Sequence, residues 1–519
     1  MSDFESIIDE LRPFGPYQIR VFILVSLFET PLAWAMLLPI FTSARPSWTC
    51  DGAIFTNISS NLTISNQKYI NSCTPSQDVC SGVNFSNEFT SIITEWKLIC
   101  NKDYIPGLIT SIQMAGVMVG AIITGQLADY FGRRKILFLE YGLLICVWFA
   151  SAFSNSWELY TVLRFVIGGL VGGTLVVNFV LPLEFITPKW RTFCGCIGFW
   201  AVGLATLALW AYVLRDWRYL TMGTSASSIF LLFCWWFVPE SPRWLISRGR
   251  LKEALVILTE MAECNNRSAP EYDQLKSCME IEQRKIQEQK KFSYCHLFSS
   301  WKLTKGTLIL MYSWFVSSSV YYGLNFNTKN LSGNRYLNVF ISGLVEIPAL
   351  IFVVLINNRI GRRKTIAILM LIAGTFCVSI LIVDVLGKLE EWPALTLTLA
   401  MIGKSGIAGG WAAVQVFSAE TFPTVVRNLG IGACSTFARI GGIVAPQLVY
   451  LGNVWKPIPF TIFGFIAILC GVLMIFMVET VGQPLPDQIN KKIKVIRADN
   501  GDKNIEEEVP LSNHDTTQL

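Results

Sequence analysis

Histidine and charged side chains are scarce in this chain, and their scarcity excludes several classes of protein. Only His296 and His514 occur among 519 residues, and 15% of the residues are charged. The 14 cysteines include no set with metal-ligand spacing, so no zinc site is predicted. The sequence also lacks a nucleophile–base pair and a phosphate-binding glycine loop. We therefore expect no catalytic residues, no metal and no cofactor.

A cleavable signal is also missing from the start of the chain. The first twenty residues are polar and mixed in charge, as Asp3, Glu5 and Arg12 illustrate, and they end in no small-residue cleavage site. The net charge of +5 is spread over short loops, so we expect no nucleic-acid partner. An excess of Lys and Arg on the cytoplasmic side of a membrane explains that charge.

Apolar residues, by contrast, are abundant. They make up 52% of the chain, and its mean hydropathy is +0.46. Twelve segments reach the roughly 20 residues that a helix needs to cross a bilayer. These are 21–41, 105–127, 136–153, 158–182, 193–213, 219–238, 304–324, 336–356, 365–385, 394–416, 426–450 and 458–477. The predicted fold class is therefore all-α integral membrane, because helices satisfy their backbone groups internally.

Two short basic loops nearly repeat one another. Gly132-Arg-Arg-Lys135 and Gly361-Arg-Arg-Lys364 each lie between two long apolar segments. Further landmarks repeat as well: Arg164 with Lys404, Glu184 with Glu420, Arg191 with Arg427, and Glu240 with Glu479. Because all intervals lie between 229 and 240 residues, the chain is predicted to be two six-helix pseudo-repeats. Such repeats hold substrate between them near the membrane midplane and alternate its access.

The basic loops predict the orientation of the chain. Loops rich in Lys and Arg face the cytoplasm, which with twelve helices places both termini there. The predicted organisation is a cytoplasmic N-terminus (1–20), an N-terminal six-helix bundle (21–238) with an extracellular loop (42–104), a cytoplasmic linker (239–303), a C-terminal six-helix bundle (304–477) and a cytoplasmic tail (478–519). Amphipathic helices of the linker are expected to lie across the cytoplasmic face, and the polar tail after Asp487 is expected to be disordered.

The predicted extracellular loop carries features of an oxidising, lumenal environment. It holds three glycosylation sequons, at Asn57, Asn61 and Asn84. It also holds four cysteines, Cys50, Cys73, Cys80 and Cys100, which we expect to form two disulfides. Four cysteines allow three pairings, and the sequence does not choose among them.

Charged residues at the cytoplasmic ends of the helices are candidates for a conformational latch. The candidates are Asp129, Gly132, Arg133, Glu184, Arg191, Glu240, Arg362, Glu420 and Arg427. Gly132 would allow a tight turn, and the acid–base pairs would bridge helices in one state and part in the other. The alternative is static surface charge, worth about 0–1 kcal/mol for each pair. The recurrence of the pairs in both halves favours a latch.

Several segments resemble a known family of transporters. Gly125–Lys135 and Pro239–Leu245 resemble signatures of the major facilitator superfamily. The long first loop and the segments Phe14–Arg20, Thr94–Cys100 and Ala419–Asn428 are similar to the organic cation/anion/carnitine transporter family. Trp314–Leu324 and Asn334–Pro348 most resemble its carnitine and organic cation branch. A departure is Val478, which stands where the family usually has proline. The resemblance implies a multi-pass plasma-membrane transporter of small organic ions.

Arg439 is the most informative candidate for substrate binding. It lies about thirteen residues into the eleventh predicted helix, near mid-membrane, where an arginine costs on the order of 3 kcal/mol unless compensated. Organic cation members of the family typically carry aspartate here, and anion and carnitine members carry arginine. The resemblance therefore implies a positive charge that attracts a carboxylate. The alternative is a structural salt bridge between Arg439 and Glu346.

Other candidates would hold the cationic end of a zwitterion. Glu346 supplies a negative charge in the eighth helix, and aromatic faces stabilise ammonium groups by about 1–2 kcal/mol. By resemblance, the side chains that line the substrate cavity are Tyr321, Tyr322, Trp314, Trp200, Trp411 and Gln415. Lys404 and Arg164 repeat between the halves, so they are expected to be structural charges of the outer half.

The predicted function is the transport of carnitine-like zwitterions, organic cations or both by alternating access. An organic anion transporter of the same family is the alternative, and a non-transporting receptor is the candidate from another class. A sugar porter and a membrane enzyme fit the motifs less well. The coupling ion, Na⁺ or H⁺, stays open. The terminal Thr516-Thr-Gln-Leu519 matches ligands of PDZ domains, which are therefore possible partners.

Glycosylation tests the predicted topology. Asn57→Gln, Asn61→Gln and Asn84→Gln should each increase gel mobility by the loss of one glycan, because each sequon is predicted to face the lumen. Asn266→Gln is the matched control, since Asn266-Arg-Ser268 has the same pattern on the predicted cytoplasmic side. A mobility shift in the control, or none in the other three, would contradict the orientation.

Overall fold

The protein is described here by a computed structural model. It describes residues 4–58, 61–70, 82–187, 190, 193–195, 198–288, 294–331, 333–389, 391–423, 426–480, 493–497 and 505–509. Arg191, Cys73, Cys80 and the carboxy-terminal Thr516–Leu519 lie outside these residues, so the predictions made for them stay predictions.

Helices dominate both halves of the chain. The first half contains α1 (Phe4–Glu10), α2 (Pro16–Ser26), α3 (Glu29–Leu37), α4 (Pro39–Thr42), α5 (Ile92–Trp96), α6 (Ile105–Phe131), α7 (Arg133–Ser151), α8 (Trp157–Leu183), α9 (Trp200–Val213) and α10 (Trp217–Ser227). The linker contains α11 (Pro242–Ser247), α12 (Leu251–Cys264) and α13 (Tyr272–Glu288). The second half contains α14 (Trp301–Asn327), α15 (Arg335–Ile360), α16 (Arg362–Val385), α17 (Pro393–Thr421), α18 (Arg427–Tyr450) and α19 (Ile458–Ile475). Short 3₁₀ helices lie at Cys100–Lys102, Ser228–Trp236, Tyr294–Phe298, Thr328–Asn330 and Leu451–Asn453.

Each of the twelve predicted spans coincides with helical structure. Within the described residues, nine segments are long and apolar enough to cross a membrane by composition alone. The other three spans fall on α7, on α10 with its 3₁₀ continuation, and on α14. They carry more polar residues, such as Ser313, Ser317 and Ser319 of α14, all of which are buried. Polar side chains are tolerated in these spans because they face protein rather than lipid.

Prolines break the first span into three helices. Pro31 has no N–H to donate to Leu27, and the chain bends at Leu27 and Phe28 before α3 begins at Glu29. Pro39 likewise leaves the carbonyl of Ala35 without its helical donor. That carbonyl instead accepts from Gln113 Nε2 at 3.3 Å and from an Arg164 nitrogen at 3.4 Å. The buried Arg164 therefore compensates a helix break, which is a structural role.

Glycines allow close helix packing within each half. A Cβ on Gly168 of α8 would lie 2.0 Å from the carbonyl oxygen of Gln113 in α6. A Cβ on Gly441 of α18 would lie 2.4 Å from the carbonyl oxygen of Phe315 in α14. Small residues bring membrane helices into backbone contact, where packing replaces the hydrophobic effect that lipid cannot supply.

The two halves meet at the end of the bundle that carries residues 43–103, which we call the loop side. Here Ser111 of α6 donates to the carbonyl of Ile443 in α18 at 2.8 Å, and Gln447 Nε2 donates to Ser111 Oγ at 3.1 Å. Deeper in the bundle α9 packs on α15, with Gly343 against the backbone of Ala205. The opposite end, which carries the Gly-Arg-Arg-Lys loops, is called the basic side.

Short strands lie outside the helical bundle. In the first loop β1 (Trp48–Ile58) pairs antiparallel with both β2 (Asn61–Ile70) and β3 (Gly82–Phe85). In the tail β4 (Ile493–Arg497) pairs antiparallel with β5 (Ile505–Val509). The prediction of a disordered tail is therefore wrong for these ten residues. Ile493, Val495 and Val509 supply the β-branched residues that favour strands, and Lys494 pairs with Glu508 in the register.

The linker packs against the start of the chain. Asn265, at the end of α12, donates to the carbonyl of Leu11 at 2.7 Å and accepts from the backbone N–H of Tyr17 at 3.2 Å. Leu251, Ala254 and Leu258 of α12 are buried, as its amphipathic pattern predicts. The linker therefore lies on the basic side of the first half.

Adjacent glycines of α8 provide a test of the packing. Gly168→Ala should lower the thermal stability of the purified protein, because overpacking against the Gln113 carbonyl costs about 1–3 kcal/mol. Gly169→Ala is the matched control, since the nearest atom to its Cβ is the Gly116 carbonyl oxygen, 3.6 Å away. Melting followed by size-exclusion chromatography would measure both, and equal melting temperatures would contradict the close approach.

Candidate functional site

An aromatic cluster lies between the two halves in the middle of the bundle. Tyr321 and Tyr322 of α14 pack edge-to-face at 5.4 Å between ring centroids. Trp411 of α17 packs against both rings, at 5.6 Å from Tyr321 and 6.2 Å from Tyr322. The structure thus brings together three of the aromatic residues that the family resemblance implies for substrate contact.

A buried ion pair adjoins this cluster, and it differs from the predicted one. Glu346 of α15 lies 2.8 Å from Lys404 Nζ of α17 and accepts from the Tyr321 hydroxyl at 3.0 Å. Lys404 also donates to Asn325 Oδ1 at 2.7 Å and to the Ser342 carbonyl at 2.9 Å. Glu346 is 3% exposed and Lys404 1% exposed. In this conformation Lys404 therefore already neutralises the charge of Glu346. Breaking a buried ion pair by removing one partner costs about 3–5 kcal/mol.

The alternative interpretation of Arg439 from the sequence is therefore wrong. Glu346 does not bridge to Arg439, because its carboxylate contacts Lys404 and Tyr321 instead. Lys404, which was expected to be a structural charge, is the counterion of Glu346 and lies 5.9 Å from the Tyr321 ring centroid. The repeat interval that pairs Lys404 with Arg164 does not indicate similar surroundings, since Arg164 contacts a backbone carbonyl and the Tyr160 ring.

Arg439 lies on the other side of the tyrosine pair. A Cβ on Gly442, one helical turn after Arg439 in α18, would lie 3.6 Å from the Tyr322 ring, so Tyr322 lies beside the face of α18 that carries Arg439. The Nε of Arg439 is buried without a hydrogen-bond partner. Within the described residues no carboxylate pairs with Arg439. An uncompensated arginine at this depth favours binding of an anionic group.

Glu29 is a functional candidate that the sequence analysis passes over. It begins α3, directly after the bend that Pro31 imposes, and its carboxylate accepts from the backbone N–H of Trp200 at 3.2 Å. Trp200 Nε1 in turn donates to the Tyr321 hydroxyl of the other half at 2.9 Å. In the sequence Glu29 is the one charged residue of the apolar run 21–41, and a charge in such a run indicates a functional site.

The remaining predicted cavity residues lie close to this cluster in the chain. Trp314 of α14 donates its Nε1–H to Ser418 Oγ of α17 at 2.8 Å, so its polar end is already bonded. Gln415 is half-buried one helical turn beyond Trp411. Glu140 of α7 is a further buried carboxyl, hydrogen-bonded to Thr124 of α6, and it belongs to the interior of the first half.

The predicted latch residues of the first half form one cluster on the basic side. Arg133 lies 2.8 Å from Asp129 and 3.2 Å from Glu184. Glu240 accepts from the backbone N–H groups of Arg133 at 2.9 Å and of Arg134 at 3.1 Å. Gly132 precedes them at φ +105°, and a Cβ there would lie 2.5 Å from Glu240 Oε2. The cluster therefore needs glycine both for the turn and for the space.

The second half repeats this arrangement. Arg362 forms an ion pair with Glu420, and its backbone N–H donates to Glu479 at 2.8 Å. Gly361 takes φ +103°, and a Cβ there would lie 2.6 Å from Glu479 Oε2. Arg427 donates to the carbonyl of Phe422 at 3.3 Å. The ion pairs of Arg133 with Asp129 and Glu184, and of Arg362 with Glu420, each lie within one half, so each pair braces its own half.

Polar contacts close the loop side. Arg45 forms an ion pair with Asp103, and Asn453 of the other half donates to Asp103 at 3.1 Å. Lys329 crosses between the halves to donate to the carbonyl of Ser43 at 3.2 Å. Burial, reinforced by the charge of Arg45, lowers the pKa of Lys329 to about 8. Together with the contacts of Ser111, these hydrogen bonds join the two halves on the loop side.

Comparison with known proteins identifies the family. The family described as sugar (and other) transporter matches residues 53–491. The chain belongs to this family. Among curated relatives, this transporter is 34% identical to the organic cation transporter protein of Drosophila melanogaster, over 94% of each chain. It is 31% identical to organic cation/carnitine transporter 2 of Homo sapiens and 32% identical to solute carrier family 22 member 4 of Mus musculus, each over 95% of both chains.

Solved structures share the fold of this transporter. The inward open conformation of the xylose transporter XylE from E. coli matches with a TM-score of 0.65 at 16% identity, over 90% of this chain and 98% of that one. A partially occluded inward open conformation of the same protein matches with a TM-score of 0.64. The fold is thus the major facilitator fold, and the relatives confirm the predicted organic cation/carnitine family. The chain is a multi-pass membrane transporter and not an enzyme.

The first loop carries the predicted glycosylation sites and the four predicted disulfide cysteines. Asn84 is exposed, whereas the side chains of Asn57, Asn61 and Cys50 lie outside the part of the chain that the structure describes. Cys100 is disulfide-bonded. The glycosylation and the pairing of the four cysteines stay predictions.

The basic-side clusters can be tested at Glu240. In this transporter Glu240→Gln should lower the maximal uptake rate several-fold. The Glu240 carboxylate accepts from the backbone N–H groups of Arg133 and Arg134, and each hydrogen bond to a charged acceptor contributes about 1.5–3 kcal/mol. Glu253→Gln is the control, since Glu253 pairs with Arg250 at the exposed surface, where ion pairs contribute little. Uptake normalised to surface expression would measure both, and equal rates would contradict a latch.

Proposed function

We propose that the protein carries small organic cations and carnitine-like zwitterions across the plasma membrane by alternating access. The observation that carries this proposal is Arg439, an arginine deep in the membrane with no carboxylate partner among the described residues. A substrate carboxylate would supply that partner. The names of the relatives, organic cation transporter and organic cation/carnitine transporter, support the same substrate class.

The aromatic cluster suits the cationic end of such a substrate. Tyr322 and Trp411 pack on each other at 6.2 Å between ring centroids and carry no basic side chain in cation–π contact within the described residues. Tyr321, in contrast, already has Lys404 near its ring. A quaternary ammonium group gains about 1–2 kcal/mol over a desolvated aromatic face. Glu346 would contribute to a cation only if Lys404 moved away.

The closed loop side supports the proposed mechanism. With the predicted orientation, the contacts of Asp103, Ser111 and Lys329 seal the site from outside, while the ion pairs of Arg133 and Arg362 at the cytoplasmic side each lie within one half. Rocking of one half against the other would break the first set and bring the basic clusters together. Each contact set would thus stabilise one of two states.

Two further parts of the proposal concern location and partners. Both termini are proposed to be cytoplasmic, which would allow the terminal Thr516–Leu519 to bind a PDZ domain. The coupling ion, Na⁺ or H⁺, is not assigned to any residue. An organic anion transporter is the alternative function, because Arg439 alone would also attract an anion. A receptor would bind substrate without moving it, and flux into proteoliposomes would distinguish the two.

Reversal of the charge at position 439 tests the substrate class. In the wild-type protein carnitine should compete for uptake better than tetraethylammonium or a dicarboxylate. Arg439→Asp should weaken carnitine competition at least tenfold, about 1.4 kcal/mol, and retain tetraethylammonium. Arg439→Gln should give an intermediate result because it removes the charge without reversing it. An unchanged preference for substrates that bear a carboxylate would refute the proposal.

A further inference from the structure

Glu29 is an intramembrane charge near the interface between the halves that the described residues leave without an opposite charge. Its side chain is half-buried where α3 meets the start of α9, and no described basic residue pairs with it. A Cβ on Gly198 would lie 2.0 Å from Glu29 Oε2, so glycine at that position makes room for the carboxylate. The backbone N–H of Trp200 is its hydrogen-bond donor, at 3.2 Å.

The charge of Glu29 differs from that of Glu346 in one decisive respect. Glu346 has Lys404 as a buried counterion at 2.8 Å, and its oxygens also accept from Tyr321. Among the described residues Glu29 has only backbone N–H donors, which orient a carboxylate without neutralising it. A cationic ligand at the interface between the halves would therefore find its free negative charge at Glu29.

Aromatic side chains connect Glu29 to Arg439. Trp200 donates its backbone N–H to Glu29 and its indole N–H to the Tyr321 hydroxyl, the latter at 2.9 Å. Tyr321 packs edge-to-face on Tyr322, and a Cβ on Gly442, one helical turn after Arg439, would lie 3.6 Å from the Tyr322 ring. A negative charge on the first half and a positive charge on the second thus lie at the two ends of one aromatic wall.

We propose that Glu29 is the counterion for the ammonium group of the substrate, while Arg439 binds its carboxylate. This inference rests on the proposed function, since it assigns the cationic end of the same zwitterion. The two charges belong to different halves, so a zwitterion would hold the halves together and a simple cation would engage the first half alone. Binding of the substrate would then favour the state in which Trp200 of the first half contacts Tyr321 of the second.

A capping role at α9 is the competing explanation for Glu29, and Glu29→Gln separates the two. Glutamine has nearly the same shape, and its carbonyl oxygen still accepts from the Trp200 N–H, so the cap is kept and only the charge is lost. The binding of three ligands to the purified full chain would be compared by thermal stabilisation. These are carnitine, its analogue with a quaternary carbon in place of the nitrogen, and choline, which lacks the carboxylate.

We expect Glu29→Gln to weaken carnitine and choline about tenfold or more, and the carbon analogue less than about twofold. The double variant Glu346→Gln with Lys404→Gln is the matched control, because it removes a carboxylate together with its counterion and leaves the net charge of the site unchanged. The control should weaken the three ligands to a similar extent. A selective loss of the two cationic ligands in the double variant but not in Glu29→Gln would overturn the assignment.

The remaining outcomes are also decisive. Equal weakening of all three ligands by Glu29→Gln would make Glu29 a cap and refute the inference, and so would unchanged binding. Altered dependence on Na⁺ or pH without loss of preference for cationic ligands would assign Glu29 to a coupling ion and equally refute it. If the wild-type protein binds neither carnitine nor choline, the proposed function is refuted. This outcome differs from a refuted role of Glu29, in which the wild-type protein binds both ligands.

Discussion

Compensation of charge and of backbone polar groups inside the membrane is the constraint on which this structure depends. Hydrocarbon offers no hydrogen bonds, so every group that a helix break or a charged side chain exposes must find a partner within the protein. The carbonyl that Pro39 frees at Ala35 receives Gln113 and Arg164. Glu346 receives Lys404 and Tyr321. Arg164 and Glu140 receive no opposite charge among the described residues, but they lie within the first half. Arg439 and Glu29 receive none either and lie beside the aromatic residues that join the halves, so they indicate where a ligand is needed.

The internal duplication provides the frame but not the site. The two Gly-Arg-Arg-Lys loops fold alike, with a glycine at positive φ and a following carboxylate, Glu240 or Glu479, that accepts their backbone N–H groups. Such equivalent clusters suit a mechanism in which two rigid halves move against each other. The substrate candidates, by contrast, come from positions where the halves differ. Glu29 has no repeat partner among the landmarks, and Lys404 and Arg164 are repeat partners with unlike contacts.

Much of the site could be found in the sequence because a charge within an apolar run is conspicuous. This signal predicts Arg439 and Glu346 as site residues, and Glu29 carries the same signal although it is not among the predicted residues. The pairing of these charges was not accessible from the sequence. Glu346 could have bonded to Arg439 or Lys404, and only the packing of α15 against α17 decided for Lys404. The link from Trp200 to Tyr321 likewise depends on the contact between α9 and α14 across the halves.

Hydrophobic length and the spacing of motifs are properties of the chain alone, so the amino-acid sequence predicts the twelve spans, the duplication and the family. Composition does not predict the strands of the tail, since a polar segment still allows Ile493–Arg497 and Ile505–Val509 to pair. Which buried charges neutralise one another, and which are left for a ligand, depends on the packing of the helices. The physical reason is that compensation acts over a few ångströms between helices, and residues that meet there lie far apart in the chain.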